Sequence, residues 1–430
     1  MAISTHIPPT GLLWPHITRI TIPVLILFYS STLFAQNWQD TISTSYRQVL
    51  QQKAREINRE GGRAIPLNLL ALRLSAKATT PFEKIWLSYN WIGQHIRYDH
   101  KALQPGAEPA VLPDEVLQRG KALCEGYALL FEALCNRLDI DCRSISGYSK
   151  GDGYVPGQAF TRSDHSWNVV WWQGQWHPVD VTWGAAGDAD PGGNREINYA
   201  YLMARPEEFL STHLPEDPNW QLLPFSLSLK SFHSYSAQNQ LDLPKHTQGQ
   251  VPDNAELEQQ WLWEVEKNQR IGQYNPHKQN ASYWLAQAWL YTALDLRDSI
   301  YHFSPEALMA QDTTLLDQFL FRMGKADSVM GIYCSKQREE KACFSFEQEK
   351  RFQRGIFHYE LASYLLWGLM ELYDNEPARY KAQSAAIRNT AGRHYDFAED
   401  WLNRVDKQSI YHSEVLKTLQ TITDARRNGL

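Results

Sequence analysis

Cysteine is scarce in this chain, and its spacing excludes several classes of protein. Five cysteines occur in 430 residues, too few for a disulfide scaffold of this length. No two of them have the C-x-x-C spacing of a zinc ribbon or a dithiol redox site. Because the number is odd, at least one thiol is unpaired within the chain. Cys334 and Cys343 can pair in an oxidising compartment, whereas Cys135 and Cys142 either pair or remain buried thiols, which their apolar surroundings favour.

Basic charge and long apolar runs are also lacking. The net charge is −6 and no basic patch is evident, so no nucleic-acid partner is predicted. The apolar run Thr21–Phe34 is short for a membrane span, follows the weakly basic His16–Arg19, and ends beside the small residue Ala35. We interpret residues 1–35 as a signal peptide cleaved after Ala35. This predicts a secreted or periplasmic protein with no stable membrane span, and the alternative is an uncleaved membrane anchor.

The remaining chain is long enough for two cores. Residues 36–225 hold mixed helix and strand patterns, and residues 226–253 are rich in Ser, Gln and Pro, which is typical of a linker. Residues 254–430 are helical in pattern and carry no catalytic cluster, so they are a helical domain of unknown role that can offer a surface to a protein partner. The candidate helices there are Ala255–Ile271, Ala281–Ser299, Pro305–Met323, Phe346–Tyr373 and Tyr395–Asn428.

One helix of the first domain begins at a cysteine. Apolar residues follow Cys124 at helical spacing, namely Tyr127, Leu130, Phe131, Leu134 and Leu138. This stripe buries one face of the helix and leaves Cys124 in its first turn. A thiol attacks as the thiolate, a form that a helix N-terminus and a neighbouring imidazolium both favour. Cys124 is therefore the candidate nucleophile.

A predicted hairpin supplies the two partners that such a nucleophile needs. Strand patterns cover His165–Trp172 and Gln175–Trp183, on either side of the turn Gln173-Gly174. A two-residue loop places His165 and Asp180 on one sheet face, as diagonal neighbours about 7–8 Å apart at the backbone. A slip of one residue would turn one of them away. His165 is then the candidate general base, and Asp180 is the group that orients it.

The oxyanion formed at an attacked carbonyl needs hydrogen-bond donors. Peptide N–H groups at the start of the Cys124 helix are natural donors, and we expect one side chain to join them. Trp91 and Tyr98 are both candidates for that side chain. Trp167 and Trp183 are expected to line the substrate cleft, because large rings crowd this part of the chain.

Other polar residues near the triad have simpler interpretations. Asp164 is expected to point to the strand face opposite His165, because successive side chains of a strand alternate. His95, His100 and His177 lack catalytic neighbours and are assigned surface roles, as are the histidines of the helical half.

Three motifs resemble the transglutaminase-like superfamily: Cys124–Ala128 (CEGYA), His165–Asn168 (HSWN) and Trp176–Gly184 (WHPVDVTWG). Pro206–Phe209 (PEEF), with the HLP and WQLL segments after it, resembles the kyphoscoliosis-peptidase branch in particular. The resemblance covers about residues 80–225. It implies a papain-like α+β fold with the nucleophile helix packed on an antiparallel sheet, and it implies the same three catalytic roles.

The resemblance also implies a reaction, namely cysteine-dependent acyl transfer at a peptide or carboxamide bond through a thioester. We expect a secreted peptidase or amidase that acts on a protein or peptide substrate. Two alternatives remain open: a cross-linking transglutaminase with an amine acceptor, and a non-catalytic binding or assembly module with the same fold. No cofactor or metal is required, although some transglutaminases use calcium, and the residues to check for it are Asp188, Asp190 and Glu196.

Overall fold

The computed structural model describes residues 38, 42–59, 64–185, 195–223, 226–236, 260–337 and 339–429. These residues belong to one compact unit. Their apolar side chains pack into separate cores, the largest drawn from residues 38–203 and another from residues 286–422. The predicted signal peptide and most of the predicted linker lie outside the described residues, so the boundary at residues 226–253 stays a prediction.

The first half packs the helix Cys124–Arg137 and several others against a small sheet. Its helices are α1 (Thr44–Arg59), α2 (Leu67–Lys77), α3 (Pro81–His95), α4 (Pro113–Arg119), α5 (Cys124–Arg137), α6 (Val181–Gly184), α7 (Pro206–Phe209) and α8 (Leu229–Phe232). Its strands are β1 (Arg97–Tyr98), β2 (Lys121–Ala122), β3 (Cys142–Ser149), β4 (His165–Trp172), β5 (Gln175–Val179) and β6 (His213–Pro215). Turns of 3-10 helix cover His100–Leu103, Tyr199–Tyr201 and Pro218–Gln221.

Local sequence explains where the two central helices begin. α3 follows Thr80, whose hydroxyl accepts the backbone N–H of Glu83 at 3.2 Å, and Pro81 takes the first helical position. α5 begins at Cys124, as predicted. Its apolar stripe is buried at Tyr127, Leu130, Phe131, Leu134 and Leu138. Each of these large side chains contributes about 1.5–3 kcal/mol by leaving water, so the stripe holds α5 against the sheet.

The larger sheet is antiparallel, in the order β5-β4-β3-β6. The pairing of Trp172 with Gln175 confirms the predicted hairpin register. The predicted second strand is too long, because β5 ends at Val179 rather than at Trp183. Asp180 ends the strand: its Oδ1 accepts the backbone N–H of Trp183 at 3.1 Å and so caps α6.

The second half is helical in its described residues. Its helices are α9 (Gln260–Tyr274), α10 (Ala281–Asp298), α11 (Pro305–Gln337), α12 (Glu340–Asn375), α13 (Pro377–Leu402) and α14 (His412–Arg427), with a 3-10 turn at Ser299–His302. The prediction of one helix over Tyr395–Asn428 is wrong, because turns at residues 403–411 separate α13 from α14. None of the described helices combines the length and apolar character that a membrane crossing requires.

The cysteines divide between one bridge and buried or partly buried thiols. Cys334 and Cys343 form a disulfide that joins the end of α11 to the start of α12. Cys135 and Cys142 remain as buried thiols, the outcome that their apolar surroundings favoured. Cys124 is also a free thiol and is only partly buried.

Polar contacts join α9 and the loop after it to the sheet half. Asn275 Nδ2 donates to the Tyr148 hydroxyl at 2.7 Å and to the backbone oxygen of Phe160 at 2.8 Å. Arg270 forms a bidentate ion pair with the Asp217 carboxylate: Nη2 donates to Oδ2 at 2.9 Å and Nε donates to Oδ1 at 3.2 Å. The fold is therefore a sheet-and-helix half followed by a helical half, as predicted at that level, and the papain-like detail stays a prediction.

Candidate active site

The start of α5 presents a thiol beside open backbone donors. Strand β2 leads directly to Cys124, and β2 pairs in parallel with β1 through Ala122 and Tyr98. Leu123 occupies the N-cap and supplies no hydrogen bond from its side chain to the first turn. The first-turn N–H groups are therefore available to an anion that forms next to the thiol.

The two other predicted triad residues meet across the hairpin. His165 opens β4, Asp180 follows the last residue of β5, and His165 Nε2 lies 2.7 Å from Asp180 Oδ2. Both side chains are buried, at 6% and 0% exposure. Because Nε2 faces the carboxylate, Nδ1 is the ring nitrogen left for the Cys124 thiol, which is near enough to raise the pKa of His165. The structure thus brings all three predicted residues together.

A second histidine contacts the same carboxylate oxygen and was not predicted as a site residue. His213 Nε2 lies 3.1 Å from Asp180 Oδ2, and its Nδ1 lies 2.8 Å from the Thr212 hydroxyl oxygen. The ring is fully buried and stacks on Phe209 with 4.1 Å between ring centroids. In the sequence, His213 was visible only as part of a branch-specific motif, which does not say what the ring touches.

Burial and hydrogen bonding set the charges of this group. Burial disfavours the imidazolium, but the Asp180 carboxylate and the hydrogen bond with Cys124 outweigh it and raise the pKa of His165 to about 10. Burial also penalises the Asp180 carboxylate, yet its two histidine partners hold its pKa well below the usual range. The result is an imidazolium and a carboxylate that stabilise each other.

His213 behaves differently from His165 although both contact Asp180. Burial lowers the pKa of His213 and outweighs the opposing effect of the carboxylate. A neutral ring carries one N–H, and a carboxylate can only accept a hydrogen bond. His213 Nε2 therefore donates to Asp180, and Nδ1 accepts from the Thr212 hydroxyl.

Two of the predicted cleft residues lie beside the triad. Tyr98 pairs with Ala122, two residues before Cys124, and burial raises the pKa of its hydroxyl, with Cys124 and Asp180 raising it further. The Trp183 ring lies 5.5 Å from the His165 ring and 4.4 Å from the His213 ring, between centroids. Tyr98 thus lies near the Cys124 thiol in the fold, and the Trp183 ring lies beside the His165 ring.

The two other predicted cleft residues are core side chains. Trp167 is 2% exposed and lies behind His165, edge-on to Phe209. Trp91 is also 2% exposed and stacks on His95 with 4.3 Å between ring centroids. Their positions favour a role in packing the site from behind over a role as cleft wall or oxyanion donor.

A close backbone approach positions the segment that carries Asp180. The Tyr89 hydroxyl donates to the backbone oxygen of Asn198 at 2.7 Å and lies 3.3 Å from that of Asp180. A Cβ atom at Gly184 would clash with this hydroxyl. Gly184 therefore lets α6 pack directly onto α3 beneath the triad.

Asp164 lies outside the triad, whereas some of the histidines that were predicted to lie at the surface are buried. The Asp164 carboxylate accepts the backbone N–H of Ser149 at 2.8 Å, a contact outside the triad. The assignment of surface roles is wrong for three buried histidines, His177, His358 and His394. Apolar packing over long sequence distances buries them, which the local sequence does not report.

Side chains that could donate to a metal ion come together at the candidate triad. Within the described ranges, His165, Asp180 and His213 are the group whose ligand atoms lie close enough to hold an ion, all within 4.8 Å. Those same atoms are already joined in hydrogen bonds, an arrangement that suits proton handling. Asp188 and Asp190 lie outside the described residues, so the check for calcium there with Glu196 stays open, and the absence of a required metal stays a prediction.

Comparison with known proteins agrees with this geometry. Residues 69–181 match the family model of the transglutaminase-like superfamily. Kyphoscoliosis peptidase of Mus musculus is 38% identical over 172 residues, which are 39% of this chain and 26% of that protein. Hillarin of Drosophila melanogaster is 31% identical over 186 residues, 38% of this chain and 22% of that protein. The Lim and transglutaminase domain protein ltd-1 of Caenorhabditis elegans is 38% identical over 121 residues, 25% of this chain and 17% of that protein.

These similarities confirm the family resemblance of the first half. Residues 69–181 form a transglutaminase-like domain, and the similarity extends to the kyphoscoliosis-peptidase branch. The chain spans about a quarter of the length of the kyphoscoliosis peptidases that it matches. A domain of this family can serve as a cysteine-based catalytic or binding module.

Proposed function

We propose that this protein is a cysteine enzyme that transfers acyl groups from a peptide or carboxamide bond through a thioester. The observation that carries the proposal is the 2.7 Å contact of His165 Nε2 with Asp180 Oδ2, beside the Cys124 thiol that opens α5 and raises the pKa of His165. This is the arrangement in which a histidine can take a proton from a nucleophile while a third group holds the ring.

The reaction follows from the two ring nitrogens of His165. Cys124 attacks the carbonyl carbon as the thiolate, and the proton that it gave up is held on Nδ1 of the His165 imidazolium. Collapse of the tetrahedral intermediate breaks the C–N bond, and Nδ1 gives its proton to the leaving amine. A thioester remains, and a second acceptor loses a proton to His165 as it attacks the thioester and frees the thiol. Asp180 keeps Nε2 protonated throughout, so Nδ1 is always the nitrogen that exchanges the proton.

The oxyanion donors of this mechanism come from two elements. The first-turn N–H groups of α5 have no side-chain cap and lie beside the sulfur. The Tyr98 hydroxyl, on β1 next to β2, is the side-chain donor that the geometry favours. Loss of one such donor typically lowers kcat by about 10²–10³.

Water is the proposed second acceptor, which makes the protein a peptidase or amidase. The support is the word peptidase in the names of the relatives that share 38% identity. An amine acceptor would make it a cross-linking transglutaminase, and product analysis separates the two, because hydrolysis releases a carboxylate whereas amine transfer retains the amine mass.

A secreted or periplasmic location is part of the proposal. The Cys334–Cys343 disulfide supports it, since disulfides persist in oxidising compartments. N-terminal sequencing of the protein recovered from its native compartment tests it, with Gln36 expected as the first residue. A first residue before Ala35 would argue for the membrane-anchor alternative.

The central experiment compares the wild type with Cys124→Ala on a panel of glutamine-containing peptides, with water or a tagged amine as acceptor. We expect Cys124→Ala to abolish release of ammonia, cleavage and amine incorporation, and to abolish the acyl-enzyme mass seen in the wild type. Asp164→Asn is the matched control, because its carboxylate lies next to His165 in sequence but bonds to Ser149, and it should retain activity. Equal activity of wild type and Cys124→Ala would overturn the proposal and leave a binding or assembly module.

A further inference from the structure

A cavity lies between the helical half and the sheet, and no triad residue lines it. It is bounded mainly by α9 and α10, with Glu349 of α12 on one side and Ser146 and Ser163 of the sheet half on another. Its volume is about 730 Å³, within the range of small-molecule sites. We call it the α9–α10 cavity.

The charges that line the cavity are mostly neutralised in pairs. Lys278 contacts Glu216, and Lys267 contacts Glu264 at 2.7 Å. Glu349 is the exception: within the part of the chain that the structure describes, its carboxylate has no hydrogen bond or ion pair. Burial alone raises its pKa, which agrees with a carboxylate that has no cationic neighbour.

Aromatic rings surround this carboxylate. Glu349, Tyr291 and Tyr411 line the same cavity, and Glu349 adds to the rise that burial causes in the pKa of both hydroxyls. Trp261 stacks on Tyr291 with 4.3 Å between centroids, and both rings line the cavity. A carboxylate among aromatic faces is an environment that attracts an organic cation.

A second acceptor without a donor belongs to Asn280, another residue that lines the α9–α10 cavity. The Oδ1 atom of Asn280 is buried, and no hydrogen-bond donor reaches it from the described residues. A buried acceptor left without a donor costs about 1–3 kcal/mol. A ligand that satisfies both Glu349 and Asn280 must therefore bring N–H or O–H donors, and a positive charge answers the carboxylate best.

We infer that the α9–α10 cavity binds an organic ammonium group, as carried by a lysine side chain or another primary amine. Its N–H groups donate to Glu349 and Asn280, and its alkyl chain lies against the aromatic wall. This site is separate from the Cys124 centre and does not depend on the proposed acyl transfer. A neutral sugar can also stack on aromatic rings, but its affinity does not depend on the charge of Glu349. Binding measured with and without that charge therefore distinguishes a sugar from an ammonium group.

The test is isothermal titration calorimetry of the full chain with Nα-acetyl-lysine methylamide. The matched probe is Nα-acetyl-norleucine methylamide, which replaces the ammonium by a methyl group and should bind at least about tenfold more weakly, the scale set by loss of a charged hydrogen bond. The trimethyl-lysine derivative keeps the charge but has no N–H, and it should also bind more weakly. Maltotriose serves as the neutral sugar.

Variants locate the site. Glu349→Gln should weaken binding of the lysine probe about tenfold or more. Glu340→Gln removes an exposed carboxylate from the same helix and should leave binding unchanged. Trp284→Leu, at a half-exposed ring of the cavity wall, gives a second variant that should fold and should also weaken binding. Cys124→Ala should bind normally, which separates this site from the triad.

Three results would overturn the inference. The first is no binding of the lysine probe by the wild type. The second is equal binding by the wild type and Glu349→Gln. The third is binding of maltotriose with no preference for the ammonium over the norleucine probe, which would assign the cavity to a neutral ligand.

Discussion

The two halves of the molecule treat a carboxylate that burial removes from water, fully for Asp180 and partly for Glu349, in opposite ways. In the sheet half, Asp180 accepts from three donors: His165, His213 and the backbone N–H of Trp183. In the helical half, Glu349 has no such donor among the described residues. Burial acts against both charges, but the donors lower the pKa of Asp180, whereas burial raises that of Glu349.

We call Asp180 with its three donors the completed group. Glu349 is incomplete by contrast, because no donor among the described residues reaches its carboxylate. A carboxylate with all its acceptors engaged can hold a neighbouring ring in place, but it has little capacity to bind anything new. A partly buried carboxylate without a donor costs stability, and the cost is recovered only when a donor arrives. Asp180 is therefore suited to position a catalytic base, and Glu349 is suited to receive a ligand.

The largest effect is expected from Asp180→Asn, which breaks the completed group. The amide nitrogen of Asn would face His165 Nε2 and force the ring proton onto Nδ1, so His165 could no longer take the thiol proton. We expect kcat to fall by about 10³–10⁴, as for loss of the orienting aspartate in other triads. Steady-state kinetics on the best substrate of the peptide panel measures this fall.

The pH dependence of the same variant checks the cause. The folded pKa of His165 is raised to about 10, so its ion pair with Asp180 stabilises the fold fully below the ordinary value of 6.5 and is lost as pH rises through about 10. Without the carboxylate, the alkaline limb of activity should move toward lower pH, and the wild type should lose its stability advantage over Asp180→Asn at high pH. An unshifted alkaline limb would contradict the assignment.

The next effect is expected from Gly184→Ala, which disturbs the packing beneath the completed group. The added methyl group would clash with the Tyr89 hydroxyl, and overpacking of this kind costs about 1–3 kcal/mol of unfolding free energy. Chemical denaturation measures the cost. Gly324→Ala is the control, since nothing lies near its Cβ position, and adding Tyr89→Phe should restore part of the lost stability. A stable Gly184→Ala protein would show that the approach is not tight.

A smaller effect on activity is expected from His213→Leu, which removes one donor from Asp180. The carboxylate would be held less firmly, so kcat should fall by about 10–100-fold while KM stays unchanged, because loss of a charged hydrogen bond costs about 1.5–3 kcal/mol. His213→Gln can still donate to Asp180 and should recover much of kcat. If kcat falls equally in both variants, the hydrogen bond from His213 to Asp180 does not support catalysis, and His213 contributes only by packing.

The smallest effect is the change in unfolding free energy expected from Glu349→Gln. A folded pKa above the unfolded value means that the ionised form opposes folding at neutral pH, so the variant should be more stable than the wild type by less than about 1 kcal/mol at pH 7. The difference should vanish as pH falls and Glu349 becomes protonated. Thermal unfolding at several pH values measures this, and a variant less stable at pH 7 would mean that the carboxylate has a stabilising partner.

The triad was largely predictable because its geometry depends on nearby residues. A helical stripe places Cys124 at the start of α5, and the turn Gln173-Gly174 sets the register that brings His165 and Asp180 together. The end of β5 was missed because Asp180 has two roles, as helix cap and as partner of His165. A strand pattern does not report a capping bond.

The remaining contacts depend on packing between distant segments. His213 reaches Asp180 because β6 pairs with β3, next to the strand that carries His165. Trp91 and Tyr98 were equal candidates in the sequence, and the fold places Trp91 in the core and Tyr98 near the thiol. Both residues are aromatic side chains with one polar hydrogen, so the sequence could not choose between them as oxyanion donors. Only their tertiary environments distinguish them.

The sequence by itself determined that a helix begins at Cys124, the hairpin register and the helical character of the second half, and it predicted the candidate triad. The physical reason is that helical periodicity, turn type and strand alternation are set by residues within a few positions of one another. The tertiary structure alone decided that His213 completes the hydrogen bonding of Asp180 and that no donor among the described residues reaches Glu349. Those outcomes depend on which distant groups share a buried space, and burial changes the free energy of a charge more than any local pattern does.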